Sequence, residues 1–379
     1  MRVTVATDTL GLGGSETYAL TLSEQLMRLG HEVTLCAAVL HAGEAVARAR
    51  GIDVVSLDAY SAPACDGIVA QDAGTAFELA RRHPGAPLVF VAHSEEFDEQ
   101  LPPLLAGLAG AVVVLNDRVE RRVRALAARL DVVRLRQPID VARFRPRSPP
   151  PAAPRRLLLL GNNIDGGRME LVRDVARRAG LELVRTGAKG GSTTNPEWAI
   201  GAADIVMGYG RCVLEGMASG RPAYVYDHLG GDGWVTPETY PSLEADGFGG
   251  RGREGVVDRE RLLADLRRYD PEMGIANRDL IVAGHRAEHH AQRIVGLLET
   301  IGAARRDGAA PLDELARLVR AHWTAGARIH ELERRIRELE RGLAEERAAR
   351  DALTRTRRYR LGSALARPID RVRLKGRRL

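Results

Sequence analysis

Short apolar segments alternate with amphipathic ones from the start of the chain. Residues 2–7 and 32–37 have the alternating, β-branched character of strands, and residues 15–29 between them have the spacing of an amphipathic helix that ends at Gly30. Repeated βα units of this kind predict a parallel sheet covered by helices rather than a sandwich or a bundle. The same signals predict further strands at residues 54–57, 67–70, 88–92, 111–115 and 132–135, and a helix at 117–129.

A proline-rich stretch interrupts the pattern. Five of the ten residues from 145 to 154 are proline, which makes an extended, semi-rigid connector. A second set of elements follows, with strands at 156–160, 181–184, 205–207 and 223–226 and helices at 168–179, 212–218, 258–268 and 278–301. The sequence therefore predicts an α/β protein with two Rossmann-like, doubly wound parallel-sheet domains that face a cleft. Their predicted bounds are 1–145 and 155–302, with a linker at 146–154.

The chain changes character again after Gly308. Residues 311–354 have a helical pattern, and five apolar positions are spaced 3, 4, 3 and 4 residues apart, as in the seam of a coiled coil: Ile329, Leu332, Ile336, Leu339 and Leu343. The seam covers about two heptads, fewer than the three or four that make a coiled coil a firm prediction. It favours a homodimer through residues 327–345. One long helix docked on its own domain is the alternative.

The basic charge of the chain is concentrated at its C-terminal end. Residues 355–379 hold ten basic residues and one acidic residue, a net +9, whereas the rest holds 46 basic and 49 acidic residues, a net −3. Apolar positions recur among these arginines at Leu361, Leu365, Ile369 and Val372. The tail is thus predicted to be an amphipathic segment that binds anionic lipid headgroups at the inner face of a membrane. A solvated tail is the alternative; an aromatic content of 4% argues against nucleic acid.

The cysteines and the hydropathy pattern indicate the compartment. Cys36, Cys65 and Cys212 have neither the spacing of a zinc site nor the even number of a disulfide framework. The longest nearly apolar run, residues 104–115, is shorter than the roughly 18 residues of a membrane helix, and the first residues do not resemble a signal peptide. We therefore expect a cytoplasmic protein.

A glycine-rich turn lies between the first strand and the first helix, at residues 11–16 (GLGGSE). Such a turn lets a phosphate approach backbone N–H groups at a helix N-terminus. A dinucleotide fingerprint does not fit, because Glu16 occupies the place of the third glycine and the second strand ends without an acidic residue for a ribose. A tight turn without a ligand is the alternative.

Two further segments carry candidate site residues. His93 follows the strand predicted at 88–92, at the edge where ligands bind in an open α/β sheet; a structural histidine is the alternative. Glu215 lies near the start of a predicted helix, after the glycine-flanked residues 208–211 (GYGR). A carboxylate there can accept hydrogen bonds from two ribose hydroxyls while the turn and the helix N-terminus hold a diphosphate; a helix-capping carboxylate is the alternative.

In this order, the features resemble the GT-B glycosyltransferases, in particular the retaining family 4. The resemblance extends over roughly residues 1–300 and rests on an ordered set of short motifs, none of them decisive alone. They are residues 13–16 (GGSE), 28–33 (RLGHEV), 91–94 (VAHS), 111–116 (AVVVLN), 137–146 (QPIDVARFRP), 203–205 (ADI) and 213–222 (VLEGMASGRP).

The resemblance implies a nucleotide sugar on the C-terminal domain, an acceptor on the N-terminal domain and metal-independent transfer between them, with no cofactor. It implies that Glu215 binds the donor ribose, that Gly14 approaches the donor phosphate and that His93 contacts the transferring sugar. His93 and Glu16 are the candidate catalytic residues. The candidate donor-binding residues are Gly13, Gly14, Asn162, Arg168, Lys189, Tyr209, Gly210, Arg211, Val213, Leu214, Glu215, Gly231 and Asp232, of which Gly231 and Asp232 lie in a predicted loop at 227–238.

The chain departs from the family pattern at the donor site. The family usually has a glutamate eight residues before the ribose-binding one, where this chain has Met207. Asn162 and Gly167 stand where the family's arginine and lysine would fall, although Arg168, Lys189 and Arg211 are candidates to supply the charge. A surface turn is the alternative for residues 227–238.

The leading hypothesis is a hexosyl-type glycosyltransferase that moves a sugar from a nucleoside-diphosphate donor to a polysaccharide, glycan or lipid-linked acceptor of the cell envelope; the resemblance implies that it retains the anomeric configuration. The second is a catalytically inactive, membrane-associated scaffold with the same fold, which Met207 and the altered arginine and lysine positions motivate. A sugar-nucleotide epimerase is a third hypothesis, which leaves the predicted coiled coil and tail without a role.

Overall fold

The computed structural model of the chain describes residues 1–61, 64–95, 97, 100–103, 107–126, 130–161, 164–187, 195–227, 230–251, 257–302 and 309–355. The chain divides into two compact units after Val319. The first unit contains both sheets, and the second contains most of a long helix.

The first sheet has seven parallel strands in the spatial order β3-β2-β1-β4-β5-β6-β7. The order reverses between β1 and β4, as in a doubly wound sheet. The strands are β1 (Arg2–Leu10), β2 (Glu32–Leu40), β3 (Asp53–Ser56), β4 (Gly67–Ala70), β5 (Leu88–Ala92), β6 (Ala111–Val114) and β7 (Val132–Arg134). The helices between them are α1 (Gly14–Arg28), α2 (Ala42–Ala49), α3 (Ala73–Arg82) and α4 (Asp117–Leu126).

The second sheet has five strands in the order β12-β11-β10-β8-β9. Strands β8 to β11 are parallel to one another, and β12 is antiparallel to β11. The strands are β8 (Arg156–Leu160), β9 (Glu182–Thr186), β10 (Ile205–Gly208), β11 (Ala223–Tyr226) and β12 (Gly231–Trp234). The helices are α5 (Gly166–Arg178), α6 (Pro196–Gly201), α7 (Arg211–Ala218), α8 (Tyr240–Ala245), α9 (Arg259–Leu266), α10 (Glu272–Gly284), α11 (Ala287–Ile301) and α12 (Ala309–Arg355).

These sheets confirm the predicted fold class, and the strands at 67–70, 88–92, 156–160 and 223–226 match residue for residue. Three predictions are corrected. The helix at 278–301 is interrupted at His285, because Ile139 forms a β-bridge with Arg286. Part of the predicted loop at 227–238 is strand β12, whose four residues are all buried. Four short helices, α2, α3, α6 and α8, are additional to those predicted.

Each sheet separates two apolar layers. In the first sheet, Val3 and Val5 belong to one layer and Ala6 to the other, as the period of two in a strand requires. Helix α11 returns to this first sheet, where Ile294 and Leu298 pack in the same layer as α1. The C-terminal part of the first unit is therefore anchored on the N-terminal sheet.

Residues 136–144 follow β7 of the first sheet and lead toward β8 of the second, and we call them the crossing segment; residues 141–144 form a turn. Buried and partly buried side chains donate hydrogen bonds to its carbonyl oxygens: His290 Nδ1 to Arg136 (3.1 Å), His285 Nδ1 to Gln137 (2.7 Å), Arg211 Nη1 to Pro138 (2.9 Å), Arg278 Nη2 to Val141 (3.1 Å) and Arg278 Nη1 to Phe144 (2.8 Å). In addition, Asp140 accepts a hydrogen bond from Arg28 at 2.7 Å. Most of these carbonyl groups are thus satisfied by side chains rather than by a sheet, whereas Ile139 bonds through both of its backbone groups to the backbone of His285 and Ala287.

The two histidines that bond to the crossing segment, His285 and His290, are held in their neutral form. A carbonyl oxygen can only accept, so Nδ1 of each ring is the donor, and Nε2 accepts from Tyr18 in His290 (2.7 Å) and from Tyr240 in His285 (2.8 Å). Burial is the main cause that lowers the pKa of each ring to about 4. An imidazolium would have to donate at both nitrogens in a site that is built for one donor and one acceptor.

Acidification should therefore destabilise the fold between about pH 6.5 and pH 4. A histidine with a folded pKa below its unfolded value binds its proton mainly in the unfolded chain, so its neutral form costs nothing above the unfolded pKa. Below that pKa, each such histidine lowers the free energy of unfolding by about 1.4 kcal/mol for every pH unit of acidification. The loss ends where the pH reaches the pKa of the histidine in the folded chain. Urea denaturation at about pH 7 and pH 5 measures the loss.

The matched variants are His290→Gln and His289→Gln, because His289 is the exposed neighbour on the same helix. We expect His290→Gln to reduce the loss on acidification by about 2 kcal/mol. His289→Gln should leave the loss close to that of the unsubstituted chain. Equal losses in all three proteins would contradict the assignment.

Candidate functional site

The carboxyl ends of β8 and β10 form the point where the strand order of the second sheet reverses. Ligands of open α/β sheets bind in the crevice at such a point. Glycines allow the backbone to pack closely there: a Cβ at Gly208 would lie 2.4 Å from the carbonyl oxygen of Leu160, and one at Gly161 would lie 3.0 Å from the ring of Tyr209. Gly210 has φ +55°, which favours glycine, and it caps the N-terminus of α7.

Helix α7 carries a buried ion pair at this point. Arg211, the first residue of the helix, donates from Nε to Oε1 of Glu215 at 2.8 Å, and the two side chains are only 8% and 7% exposed. Burial raises the pKa of Glu215, and the charge and hydrogen bond of Arg211 oppose that rise. The residue with the predicted ribose-binding role is therefore engaged by a cation through one of its two oxygens.

Arg211 also reaches toward the first sheet. Its Nη2 donates to Oγ1 of Thr21 on α1 at 2.9 Å, and its Nη1 donates to the carbonyl of Pro138 at 2.9 Å. One guanidinium thus joins α7, the crossing segment and α1. The sequence suggested Arg211 as a source of positive charge for a diphosphate. The structure shows in addition that Arg211 connects the helices of the two sheets.

Three aromatic side chains form a cluster beside Arg211, in which Tyr18 and His290 are buried and His93 is partly buried. His93, which follows β5, packs edge-on against Tyr18 with ring centroids 4.8 Å apart, and Tyr18 packs in the same way on His290 at 5.4 Å. Burial, followed by the charges of His290 and Arg211, lowers the pKa of His93 to about 3. Among the described residues, buried Nε2 of His93 has no hydrogen-bond partner. His93 is therefore a neutral imidazole with one nitrogen that a polar ligand would satisfy.

A carboxylate covers the glycine-rich turn of the first sheet. Gly13 caps α1 in an extended conformation, and a Cβ at this position would lie 2.4 Å from Oε2 of Glu16. Glu16 also accepts a hydrogen bond from Ser15 at 3.0 Å. A Cβ at Gly14 would meet no atom within 4 Å. The close approach to the Glu16 carboxylate is thus at Gly13 rather than at Gly14.

The remaining predicted site residues are distributed as follows. Val213, Leu214 and Met207 are at most 2% exposed and pack in the core, so that a ligand could contact Val213 and Leu214 only through their backbone. Gly231 and Asp232 lie in strand β12. The guanidinium of Arg168 lies 5.9 Å from the ring centroid of Tyr226. Asn162 and Lys189 lie outside the described residues.

Gln71 and Asp72 are site candidates that the sequence analysis missed. They follow β4, beside the point where the strand order of the first sheet reverses. Both atoms of the Gln71 side-chain amide are buried without a hydrogen-bond partner in the described part of the chain. Burial raises the pKa of Asp72 to about 6 although Thr75 donates to its carboxylate. An apolar strand followed by Gln-Asp at the carboxyl edge was the available signal.

No protein-family model and no curated protein matches the chain. Solved structures do. A glycosyltransferase from Rickettsia africae has 12% identity and a TM-score of 0.55, and the match covers 79% of this chain and 98% of that one. Anabaena HepE, solved with UDP-glucose, has 11% identity and a TM-score of 0.55 over 79% and 100% of the two chains. Sucrose-phosphate synthase from Thermosynechococcus elongatus has 13% identity and a TM-score of 0.51 over 79% and 98%.

These likenesses establish the fold. The chain has the GT-B fold that its sequence motifs indicated, with the two doubly wound sheets described above. At identities of 11–13%, the likeness shows the fold and neither the substrate nor the mechanism. The assignment to retaining family 4 therefore stays a prediction.

Substitution of Arg211 should test the buried pair. Arg211→Met leaves the carboxylate of Glu215 buried without its cation, so we expect a loss of about 3 kcal/mol in the free energy of unfolding. The double variant Arg211→Met/Glu215→Gln should lose clearly less than the sum of its single changes, because it removes both charges. Urea denaturation measures the free energy of unfolding of the unsubstituted chain, of Arg211→Met, of Glu215→Gln and of the double variant. Arg173→Met, on the exposed face of α5, is the control. Additive losses would contradict a coupled pair.

Proposed function

We propose that the chain is a nucleotide-sugar-dependent glycosyltransferase. The observation that carries the proposal is the position of Glu215, a buried carboxylate on the helix that begins at the strand-order reversal of the second sheet. Close-packed glycines and two helix N-termini, those of α5 and α7, lie at the same edge. Backbone N–H groups and helix dipoles at such an edge favour a diphosphate.

In this proposal the donor lies across that edge. Glu215 accepts the ribose hydroxyls through Oε2, because Arg211 occupies Oε1. The diphosphate is held by the N-terminus of α7 together with Arg168 and Arg211, which neutralise the charge that develops on the leaving group without a divalent metal. Neutral His93 offers its unpartnered Nε2 to a hydroxyl of the transferring sugar.

The acceptor substrate, a polysaccharide, glycan or lipid-linked sugar of the cell envelope, lies on the side of the first sheet. There the side-chain amide of Gln71 offers it one hydrogen-bond donor and one hydrogen-bond acceptor. We also propose that the transferred group is a hexosyl group and that it keeps its anomeric configuration.

Calorimetric titration with UDP-, GDP-, ADP- and dTDP-sugars tests this function. We expect one nucleotide class to bind, and Glu215→Ala to weaken its binding by at least about tenfold, which is the loss of roughly 1.4 kcal/mol of hydrogen-bond energy. Glu170→Ala, an exposed glutamate on α5, is the matched control and should bind as the unsubstituted chain does. If none of the four classes binds to folded protein, the enzyme proposal fails.

The second candidate function is a catalytically inactive binding protein with the same fold. Two observations favour it: Met207 is fully buried in the core where the family has a glutamate, and Glu215 is held in an ion pair. Release of nucleoside diphosphate from the bound donor, in the presence of an acceptor extract, separates the two candidates. Binding without release would identify the inactive protein.

We further propose that the chain is cytoplasmic and that residues 355–379 bring it to an anionic membrane. Within the described residues, no helix combines the length and the apolar character that crossing a bilayer needs. The support for peripheral contact is the net +9 of the tail interleaved with apolar residues, since each basic residue near an anionic surface contributes about 1 kcal/mol.

Truncation after Thr354 should abolish co-sedimentation with vesicles of phosphatidylglycerol, because it removes nine net positive charges. The full chain should sediment with these vesicles at low salt, and binding should weaken at about 0.5 M salt through screening. Phosphatidylcholine vesicles are the control. Equal sedimentation of the full and truncated chains would contradict a membrane role for the tail.

A further inference from the structure

One face of α12 exposes a row of large apolar side chains. Ile329, Leu332, Ile336, Leu339 and Leu343 are between 45% and 67% exposed, and we call them the seam. Their spacing of 3 and 4 residues keeps them on one side of the helix over about four turns. Burial of such side chains against an apolar partner is favourable, because it removes apolar surface from water. The seam therefore fits a second helix with the same spacing.

The kinds of apolar residue in the seam favour two parallel strands. In a heptad written abcdefg, Ile329, Ile336 and Leu343 take position a, and Leu332 and Leu339 take position d. A β-branched residue at a combined with leucine at d favours a parallel dimer over a trimer or tetramer. Two of the three a positions and both d positions follow this rule.

The charges beside the seam select the orientation. Arg328 and Arg335 occupy position g, and Glu333 and Glu340 occupy position e; all four side chains are exposed. In a parallel dimer in register, a g residue faces the e residue of the next heptad in the other chain. Arg328 then faces the partner's Glu333 and Arg335 faces the partner's Glu340, which gives four attractive contacts across the interface.

An antiparallel pairing of the same helices brings like charges together. Position g then faces g and position e faces e, so that arginine meets arginine and glutamate meets glutamate. The ion pairs that Arg334 makes within the helix, with Glu331 and Glu338, lie on the outward positions c and f. Glu333 also lies 3.7 Å from Arg337 of the same helix, but this exposed contact leaves the sign of the charge at position e unchanged. The charge pattern thus distinguishes the two orientations.

We infer that α12 forms a parallel, in-register homodimer through residues 328–343. The partner is a second copy of this chain, because the same four charged positions are complementary to themselves only in this arrangement. The seam ends at Glu346 and Arg350, which take positions d and a, so the dimer is weak and dissociates on dilution. The inference concerns assembly and does not depend on the proposed enzymatic activity.

Charge reversal tests the orientation on the full chain by sedimentation equilibrium. Arg328→Glu/Arg335→Glu and Glu333→Arg/Glu340→Arg should each raise the dissociation constant of the dimer at least about tenfold, because attractive contacts become repulsive. All four changes together restore opposite charges and should return the constant to within about threefold. The control is Arg334→Glu/Arg341→Glu, which has the same charge change at position f and should keep the dimer. Circular dichroism checks that every variant retains its helix.

Cross-linking gives a second, independent measurement. In a parallel dimer, Ile329→Cys and Leu343→Cys should each be joined to its own copy by a short bismaleimide, above the background from Cys36, Cys65 and Cys212 in the unsubstituted chain. In an antiparallel dimer, only a mixture of the two variants is joined. Cross-linking in the mixture alone, a monomer at all concentrations, or failure of the fourfold charge exchange to restore the dimer would overturn the inference.

Discussion

The carbonyl groups of the crossing segment set the main constraint on this fold. Residues 136–144 run between the two sheets without belonging to either, so their buried polar groups need donors from elsewhere. Those donors are the side chains of His285, His290, Arg211 and Arg278 and the backbone N–H of Ala287, which donates to Ile139. All of them lie in the helices α7, α10 and α11 or in the break between α10 and α11, which explains why this part of the first unit is held against the crossing segment.

Two of these donors also belong to the candidate site. Arg211 is bonded at once to Pro138, Thr21 and Glu215, and His290 is bonded to Arg136 and Tyr18, which packs on His93. The network that joins the two sheets is therefore the network that positions the carboxylate and the imidazole of the site. A change at Arg211 would therefore alter the contact between the two sheets and the surroundings of Glu215 together.

The sequence predicted the sheets because their signals are local. Strand β8 is a run of four leucines after an arginine, and the helix that follows ends near a glycine; these patterns need no knowledge of distant residues. The tertiary network has no local signal. Tyr18 and His290 are 272 residues apart in the chain, and Thr21 and Arg211 are 190 apart. Tyr18 is one of several buried residues on α1, and nothing in its neighbours distinguishes a hydrogen-bonded tyrosine from an apolar one.

Two errors in the predicted elements have the same physical origin. Strand β12 (GDGW) has two glycines and an aspartate, which disfavour a strand, yet it pairs with β11 and buries all four residues. The break between α10 and α11 falls within a continuous helical pattern, and the β-bridge between Ile139 and Arg286 imposes it. In both cases a tertiary contact overrides local propensity.

The dimer inferred from α12 gives the net charge of the chain a physical meaning. Two parallel helices in register end on the same side, so that both copies of residues 355–379 continue from one end. The membrane contact proposed above would then involve two tails with a net +9 each, and the second contact would form at the high effective concentration of an intramolecular event. The parallel orientation that the charges at e and g select would therefore strengthen that proposed contact.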